Sequence, residues 1–201
     1  MLCINTHSAP KGLIFWLHGL GADCNDFSFF FKNDLFKNYE IILPNAPLRN
    51  ISINNGLKMR GWFDLKSLSF NDLNFDEIKE SADNIAMLLR QSKKPIHRKV
   101  IIGGFSQGAA IALYSAVNSI PDIDGVVSFS GFYPQTSNKT SNVNCPILIA
   151  HGYDDEIINY DFAIDSYKYI SSPKATIKSY NIGHSVCDQQ ALDLFNFLES
   201  I

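Results

Sequence analysis

The feature that most constrains the fold is a series of short, continuously apolar runs that alternate with segments of helical period. Runs that are apolar at every position are typical of strands buried on both faces of a parallel sheet. They predict strands over residues 12–17, 40–43, 100–105, 125–129, 146–150 and 176–181. The segments between them predict helices over residues 75–91, 107–117, 160–170 and 186–198. This alternation predicts an α/β fold with a mostly parallel central sheet and helices on both faces.

Length, composition and charge exclude several classes of protein. The 201 residues, of which 46% are hydrophobic and 18% charged, predict one domain over residues 1–201 with a buried core. A net charge of −3 with dispersed Lys and Arg side chains gives no basic surface for nucleic acid. The apolar runs are shorter than the ~20 residues of a membrane-spanning helix, and no secretory signal pattern is present. We therefore expect a cytoplasmic protein whose four widely spaced cysteines are free thiols.

Polar residues directly follow four of the predicted strands. In a sheet of this kind ligands bind beyond the carboxyl ends of the strands, so these residues are the candidates for chemistry. The segment HGLGAD follows the first strand, SQG the third, HGYDDEI the fifth and IGHSV the sixth. The candidate side chains in these segments are those of His18, Ser106, Asp154, Asp155 and His184.

A serine, an aspartate and a histidine in this order predict a serine hydrolase. A serine hydroxyl attacks poorly at neutral pH unless an imidazole takes its proton and a carboxylate orients that imidazole. Ser106, then Asp154 or Asp155, then His184 occur in the order found in α/β hydrolases. Taken singly, the histidine could be an ordinary loop residue and the aspartates a solvated turn or a helix cap. Their joint placement at strand ends favours catalysis.

The residues around Ser106 predict where a negatively charged oxygen would be bound. Glycines two residues before and after Ser106 leave room for a sharp turn from strand into helix, which exposes the serine at the helix N-terminus. There the backbone N–H of Gln107 can point at a developing oxyanion. We expect the second donor to be the backbone N–H of Leu20, in the loop after the first strand. We expect His18 to hold that loop through hydrogen bonds to the backbone.

Several segments together resemble the phospholipase/carboxylesterase family, which includes the acyl-protein thioesterases. They are HGLGAD at 18–23, PNAPLRNISINNGLKMRGWFDL at 44–65, GFSQGAAIAL at 104–113, HGYDDEII at 151–158 and GHSVC at 183–187. The resemblance implies a compact α/β-hydrolase fold and a Ser-Asp-His triad that needs no metal and no cofactor. It also implies ester or thioester substrates with medium to long acyl chains, carried on small molecules, lipids or proteins, and it allows a homodimer.

The resemblance assigns a role to each candidate residue. The implied catalytic residues and oxyanion donors are Ser106, Asp155 and His184, with the backbone N–H groups of Leu20 and Gln107. Asp154 is the alternative acid. The predicted activity is that of a serine carboxylesterase or thioesterase that forms an acyl-enzyme. Two other functions stay open, a serine peptidase or amidase that uses the same groups and a hydrolase-fold binding module without catalysis.

Apolar residues between positions 62 and 75 are the candidates for substrate binding. The segment LKSLSFNDLNF has no helix or strand period, which suggests a loop whose apolar side chains need a surface to cover. In the related family it lies near the mouth of the active site, so we expect either a mobile flap over the acyl chain or an ordinary surface loop. Trp62 and Phe63 belong either beside the entrance or in the core. The candidate substrate-binding residues are Trp62, Leu65, Leu68, Phe70 and Leu73.

Other aromatic residues are assigned to the core. Trp16 lies inside the first apolar strand and is predicted to be buried. Phe27, Phe29, Phe30 and Phe31 are predicted to form the buried face of a short helix. No strand is predicted before residue 12.

Overall fold

The computed structural model describes residues 1–5, 9–135 and 139–201. In chain order the strands are β1 (Leu2–Ile4), β2 (Gly12–Leu17), β3 (Tyr39–Leu43), β4 (Leu48–Ile51), β5 (Leu57–Arg60), β6 (Val100–Phe105), β7 (Gly125–Phe129), β8 (Ser141–Asn142), β9 (Ile147–Gly152), β10 (Ile170–Ser171) and β11 (Ala175–Tyr180). The helices are α1 (Ser28–Phe31), α2 (Phe75–Ser92), α3 (Gln107–Asn118), α4 (Tyr160–Tyr167) and α5 (Asp188–Ser200). None of the described helices has the length and apolarity needed to cross a membrane.

Seven strands form the central sheet in the order β1-β3-β2-β6-β7-β9-β11. β1 is antiparallel to β3 at one edge, and all other neighbours in the sheet are parallel. β2 and β6 are neighbours in the middle of the sheet. The strand that follows β2 along the chain, β3, lies on one side of this pair, whereas β7, which follows β6, lies on the other side. The loops that leave β2 and β6 therefore diverge. Such a switch point opens a crevice at the carboxyl ends of the strands.

Alternate side chains of β2 divide the core into two layers. Leu13, Phe15 and Leu17 belong to a cluster that includes buried residues of α2, α3 and α4. Ile14 and Trp16 belong to a second cluster with residues of α1 and α5. Because both faces of the strand are covered, every residue of β2 is buried. The predicted α/β architecture with helices on both faces of a mostly parallel sheet is confirmed, as is the burial of Trp16.

The predicted elements lie within a few residues of the observed ones, and the differences lie in short or exposed elements, among them the unpredicted two-residue strand β8. α4 ends at Tyr167 instead of residue 170, because Ile170 and Ser171 form β10, which pairs with β8. A strand does precede residue 12, since β1 lies there and pairs with β3. The hairpin of β4 and β5 was also not predicted, and its two strands pair antiparallel.

The prediction that the phenylalanines between 27 and 31 share one buried face is wrong for Phe29. Phe31 is fully buried and Phe27 nearly so, but Phe29 is 88% exposed. Positions two apart in a helix point about 200° apart around its axis. Phe29 and Phe31 therefore cannot both face the sheet, and Phe29 projects from the surface of α1.

Candidate active site

Ser106 lies in a sharp turn between β6 and α3, with φ 56° and ψ −122°. A positive φ is strained for a serine, and such strain is often stored at functional sites. Two glycines make the turn possible. A Cβ on Gly108 would lie 2.3 Å from the Leu17 carbonyl oxygen, and a Cβ on Gly104 would lie 2.5 Å from the Gly108 carbonyl carbon. Only glycine allows the first turn of α3 to approach the end of β2 this closely.

The loops after β9 and β11 bring Asp155 and His184 together. A backbone hydrogen bond of 3.1 Å from the Asp154 N–H to the Ile182 carbonyl oxygen joins the two loops. A Cβ on Gly152 would lie 2.1 Å from that same carbonyl oxygen, so the close approach requires glycine. The HGYDD segment is therefore placed directly against the IGHSV segment.

Asp155 is the aspartate that contacts the histidine. Its Oδ2 lies 2.8 Å from His184 Nδ1. Its Oδ1 accepts the backbone N–H groups of Ile157 at 2.9 Å and Ile158 at 2.8 Å. The Asp155 side chain is buried, whereas the neighbouring Asp154 is exposed. With all of these bonds, the carboxylate is fixed in one orientation toward the imidazole.

His151 is a second histidine on the same carboxylate. Burial alone would raise the pKa of Asp155, but hydrogen bonds from His151, from His184 and from the Ile158 N–H outweigh it and hold that pKa well below its ordinary value. The fully buried His151 places Nε2 3.2 Å from Asp155 Oδ2 and 2.8 Å from the Ile158 carbonyl oxygen. Sequence reasoning gave His151 no part in this site. A histidine at the carboxyl end of a buried strand, four residues before the candidate acid, was the available signal.

One cavity of about 420 Å³ has both Ser106 and His184 in its wall. Because Asp155 occupies Nδ1 of His184, Nε2 is the nitrogen that remains, and it has no protein partner in the described part of the chain. The Phe105 ring packs against the imidazole, with ring centroids 4.7 Å apart. A Cβ on Gly19 would lie 3.5 Å from the Ser106 Cβ, so the loop after β2 lies against the serine.

The two backbone N–H groups predicted to bind an oxyanion have no acceptor among the described residues. They belong to Leu20 and to Gln107, both of which line the cavity. Gln107 is the first residue of α3, and first-turn N–H groups have no partner within a helix and carry partial positive charge. The two predicted oxyanion donors are therefore unoccupied at the same cavity as the serine.

Trp62 does not line the cavity, in contrast to its predicted contact with the substrate. It holds backbone segments of the site together through hydrogen bonds instead. It is buried, and its indole N–H donates to the His18 carbonyl oxygen at 2.8 Å. The Gln107 side chain accepts the Trp62 backbone N–H at 2.8 Å and donates to the Phe63 carbonyl oxygen at 2.7 Å. Phe63 does line the cavity, so this side-chain amide ties the start of α3 to the cavity wall.

His18 holds its loop, as predicted. Its Nε2 accepts the Ala46 N–H at 3.0 Å, which leaves the proton on Nδ1 to be donated to the Gly19 carbonyl oxygen at 2.7 Å. Burial lowers the pKa of His18. The neutral imidazole therefore fixes the backbone on which the free N–H of Leu20 is carried.

Most of the rest of the cavity wall is apolar, and Asp26 and Asn54 are its other polar side chains. Its apolar side chains are those of Leu20, Ala22, Ile53, Phe63, Leu65, Leu68, Phe70, Phe105, Phe132, Ile157 and Ile158. Of the predicted substrate-binding residues, Leu65, Leu68 and Phe70 lie in this wall. Leu73, like Trp62, does not, and it lines a neighbouring groove instead.

The segment between Leu65 and Phe75 is packed at one point and exposed at another. The Phe70 ring centroid lies 4.6 Å from that of Phe132 and 5.3 Å from that of Phe162. Leu68 is 44% exposed at the edge of the cavity. The aromatic contacts of Phe70 anchor the segment, and Leu68 is the side chain that a bound chain would newly cover.

The site combines a hydroxyl, an imidazole anchored on a buried carboxylate, and two free N–H groups at one end of an apolar cavity. These groups can activate the hydroxyl and stabilise an oxyanion. Within the described residues, no three His, Cys, Asp or Glu side chains are grouped so that they could hold a metal ion.

Comparison with known proteins gives relatives along the whole chain. The model of the family described as Phospholipase/Carboxylesterase matches residues 2–201. Acyl-protein thioesterase 1 of Debaryomyces hansenii is 31% identical over 98% of this chain and 94% of its own length. Acyl-protein thioesterase 1 of Candida albicans is 33% identical over 96% of this chain and 94% of its own length.

Solved structures agree with the sequence comparison. The crystal structure of Zea mays acyl-protein thioesterase 2 superposes with a TM-score of 0.85 at 26% identity, covering 99% of this chain and 97% of that chain. The predicted α/β-hydrolase fold is thereby confirmed.

Proposed function

Because the chain belongs to the phospholipase/carboxylesterase family, we propose that it hydrolyses carboxylic esters and thioesters through Ser106, Asp155 and His184. One observation carries the proposal. The buried Asp155 carboxylate holds Nδ1 of His184 at 2.8 Å, while the same imidazole lies in the wall of the cavity that contains Ser106. A histidine with one nitrogen bound by a carboxylate and the other left free, in a cavity that a serine also lines, is equipped to accept and return a proton.

The first half of the reaction acylates the serine. Ser106 Oγ attacks the carbonyl carbon of the substrate, and its proton moves to Nε2 of His184. Asp155 keeps the ring in the tautomer with Nδ1 protonated and stabilises the imidazolium that forms. As the bond from the carbonyl carbon to the leaving oxygen or sulfur breaks, the proton passes from Nε2 to the leaving group.

The oxyanion is stabilised by the two free backbone donors. Charge develops on the carbonyl oxygen in the tetrahedral intermediate, and fixed N–H dipoles lower its energy without having to reorganise. The N–H groups of Leu20 and Gln107 serve in this role. His18 and the Gln107 side chain keep the two backbone segments in place through the hydrogen bonds described above.

The second half of the reaction releases the acid. Water enters after the leaving group departs, His184 takes a proton from it, and the resulting hydroxide attacks the acyl-enzyme. The same oxyanion donors act again. Ser106 recovers its proton from His184 as the carboxylic acid leaves.

The apolar cavity defines the acyl part of the substrate. The side chains of Leu65, Leu68 and Phe70 form part of its apolar wall. Each methylene group of the acyl chain that is buried against this wall contributes ~0.8 kcal/mol to binding. Acyl chains longer than acetate therefore bind better. The relatives are acyl-protein thioesterases, which makes acyl thioesters the second substrate class to be tested beside oxygen esters.

The proposal is tested by labelling and by turnover. A fluorophosphonate probe should form a covalent adduct on Ser106, located by mass spectrometry of the digested protein. Ser106→Ala should lose the adduct and lower kcat for p-nitrophenyl esters by about 10⁴- to 10⁶-fold, the scale of triad removal. The matched control is Ser200→Ala, at an exposed serine at the end of α5, which should label and turn over as the wild type does.

The substrate panel distinguishes the other functions. It consists of p-nitrophenyl esters from acetate to octanoate, an octanoyl thioester and a peptide anilide. Hydrolysis of the anilide faster than of the esters would identify a peptidase or amidase. A folded protein with neither adduct nor turnover would be a binding module, and ester hydrolysis that survives in Ser106→Ala would refute the mechanism.

A further inference from the structure

A second cavity, of about 640 Å³, adjoins the first at the catalytic histidine. The two cavities share Asp26, Phe105 and His184 in their walls. Ser106 and Gln107 line the first cavity and are absent from the wall of the second. The histidine thus stands between two spaces, of which one contains the nucleophile and an oxyanion donor.

The wall of the second cavity is largely aromatic and aliphatic. It comes from α1 and from the start of α5, with side chains of Phe27, Phe29, Phe30, Val186 and Ala191. Phe29 is 88% exposed and Val186 is 38% exposed, so apolar surface is left open to solvent. A monomeric surface seldom leaves such a group of apolar side chains uncovered without a ligand for it.

The charges around this cavity do not favour an anion. Asp26, Lys32 and Asp188 contribute two carboxylates and one ammonium group to the wall. A phosphate-bearing group would meet more negative than positive charge there. The chemistry of the wall fits an uncharged, apolar group.

We infer that the second cavity binds the leaving group of the substrate, and that it selects an alcohol or thiol with an apolar ring or chain. The inference rests on the proposed function. In acylation the bond from Ser106 Oγ to the carbonyl carbon forms, and the bond to the leaving oxygen or sulfur breaks. The acyl part stays on Ser106 with its oxyanion at Leu20 and Gln107, so it occupies the first cavity. The leaving atom receives its proton from Nε2 of His184, so the leaving group lies at the histidine. Because the acyl part occupies the first cavity, the space that remains for the leaving group beside this histidine is the second cavity.

Esters that differ only in the alcohol test this assignment. Ethyl butyrate and 2-phenylethyl butyrate have the same acyl group and alcohols of similar acidity, so their intrinsic reactivity is matched. Burial of the phenyl ring in the second cavity should raise kcat/KM for the phenylethyl ester at least about tenfold above the ethyl ester. The butyrate ester of 2-hydroxyethyl phosphate should be slower than the phenylethyl ester.

Substitutions in the second cavity locate the effect. Phe29→Ser and Val186→Ser should each bring the phenylethyl-to-ethyl ratio of kcat/KM toward one, by about threefold or more. Both side chains are exposed, so the fold does not depend on them, and circular dichroism checks this. The control for the second cavity is Leu192→Ser, an exposed leucine of α5 outside both cavities, and the control for the first is Leu68→Ser. Neither control should change the alcohol ratio.

The outcomes separate the inference from the proposed function. Equal kcat/KM for both alcohols, a preference that Phe29→Ser and Val186→Ser leave intact, or fastest cleavage of the phosphate ester would overturn the leaving-group cavity while the esterase remains. Absence of any butyrate hydrolysis together with no fluorophosphonate adduct on Ser106 would overturn both.

Discussion

In the described part of the chain, two buried carboxylates contact histidines, and they lie at opposite ends of the central sheet. Asp155 and His184 lie beyond the carboxyl ends of β9 and β11, with 2.8 Å between Oδ2 and Nδ1. Glu40 lies at the start of β3 and His97 shortly before β6, with 3.0 Å between Oε2 and Nε2. Both carboxylates are buried. By the distance between carboxylate and imidazole alone, the two pairs are nearly the same.

They differ in what the second imidazole nitrogen does. His97 Nδ1 accepts the Lys94 backbone N–H at 3.1 Å, and the Lys94 ammonium group lies 2.7 Å from Glu40. Both imidazole nitrogens of His97 and the Glu40 carboxylate thus have partners within the protein. His184 has Nε2 without a protein partner in the described part of the chain, in the wall of two cavities. A carboxylate–histidine pair is a structural element until its remaining nitrogen faces a cavity that holds a nucleophile.

The comparison predicts its largest contrast in activity. Asp155→Asn should lower kcat by about 10³- to 10⁴-fold, because the amide no longer selects the imidazole tautomer that accepts the serine proton. Glu40→Gln should leave kcat within about threefold at pH 7, since its pair touches no reacting group. Steady-state hydrolysis of p-nitrophenyl butyrate by the two purified variants measures both. A comparable loss in Glu40→Gln would mean that the distant pair also serves the reaction.

The second contrast is in stability. Burial alone would raise the pKa of Glu40, but hydrogen bonds from Lys94 and His97 outweigh it and lower that pKa below its ordinary value of 4.5. A carboxyl group whose folded-state pKa is lowered stabilises the fold above its unfolded-state pKa, and this contribution is lost as the pH falls through the folded-state pKa. Glu40→Gln should therefore lower the free energy of unfolding by about 1–3 kcal/mol at pH 7, and the difference from wild type should shrink below about pH 4.5.

Urea unfolding at pH 7 and at several values below pH 4.5 measures this difference. The matched control is Asp83→Asn, which removes an exposed ion pair with Lys79 at 3.7 Å and should leave the free energy of unfolding nearly unchanged. A difference between Glu40→Gln and wild type that grows toward acid pH would contradict the assigned direction of the Glu40 pKa.

The third contrast concerns the first cavity, which His184 lines and His97 does not. Leu68 lies in its wall, whereas Leu73 of the same segment does not. Leu68→Ser should reduce the octanoate-to-butyrate ratio of kcat/KM by about tenfold, equivalent to about two methylenes no longer covered. Leu73→Ser should leave that ratio unchanged. Equal loss for all chain lengths in Leu68→Ser would show that the segment supports the fold and does not contact the acyl chain.

The sequence predicted the buried part of the fold well because buried parallel strands have the clearest pattern. The family and its hydrolase fold were predicted from motifs and are confirmed. The missed elements are short or exposed. β1 has three residues at the sheet edge, and the β4–β5 hairpin alternates weakly. The hairpin did carry a usable signal in its Asn-Gly pair, since Asn55 and Gly56 both adopt positive φ at the end of the five-residue loop between the strands.

The side-chain roles were less predictable because they depend on distant backbone. Trp62 was assigned to substrate binding, yet its indole N–H finds the His18 carbonyl oxygen, a contact between segments 44 residues apart. Nothing in the order of residues indicates that meeting. The two adjacent aspartates could be separated only through the family resemblance, because their burial is decided by how the β9 loop packs on the β11 loop. His151 contacts Asp155 from the end of β9 itself, four residues before it in the chain.

The smallest effect is expected at Asp154, the neighbour of the proposed catalytic acid. Its side chain is exposed, and its contribution to the site is the backbone N–H that bonds to the Ile182 carbonyl oxygen at 3.1 Å. Asp154→Asn keeps that backbone group and the size of the side chain, so kcat should stay within about twofold of wild type. Comparing kcat of Asp154→Asn and Asp155→Asn on the same ester tests whether the catalytic carboxylate must be buried and bonded to Nδ1 of His184 or need only lie near that histidine. If Asp154→Asn lost activity and Asp155→Asn kept it, the catalytic carboxylate would be the exposed Asp154. The buried carboxylate and the free imidazole nitrogen would then not explain why the Asp155–His184 pair differs from the Glu40–His97 pair.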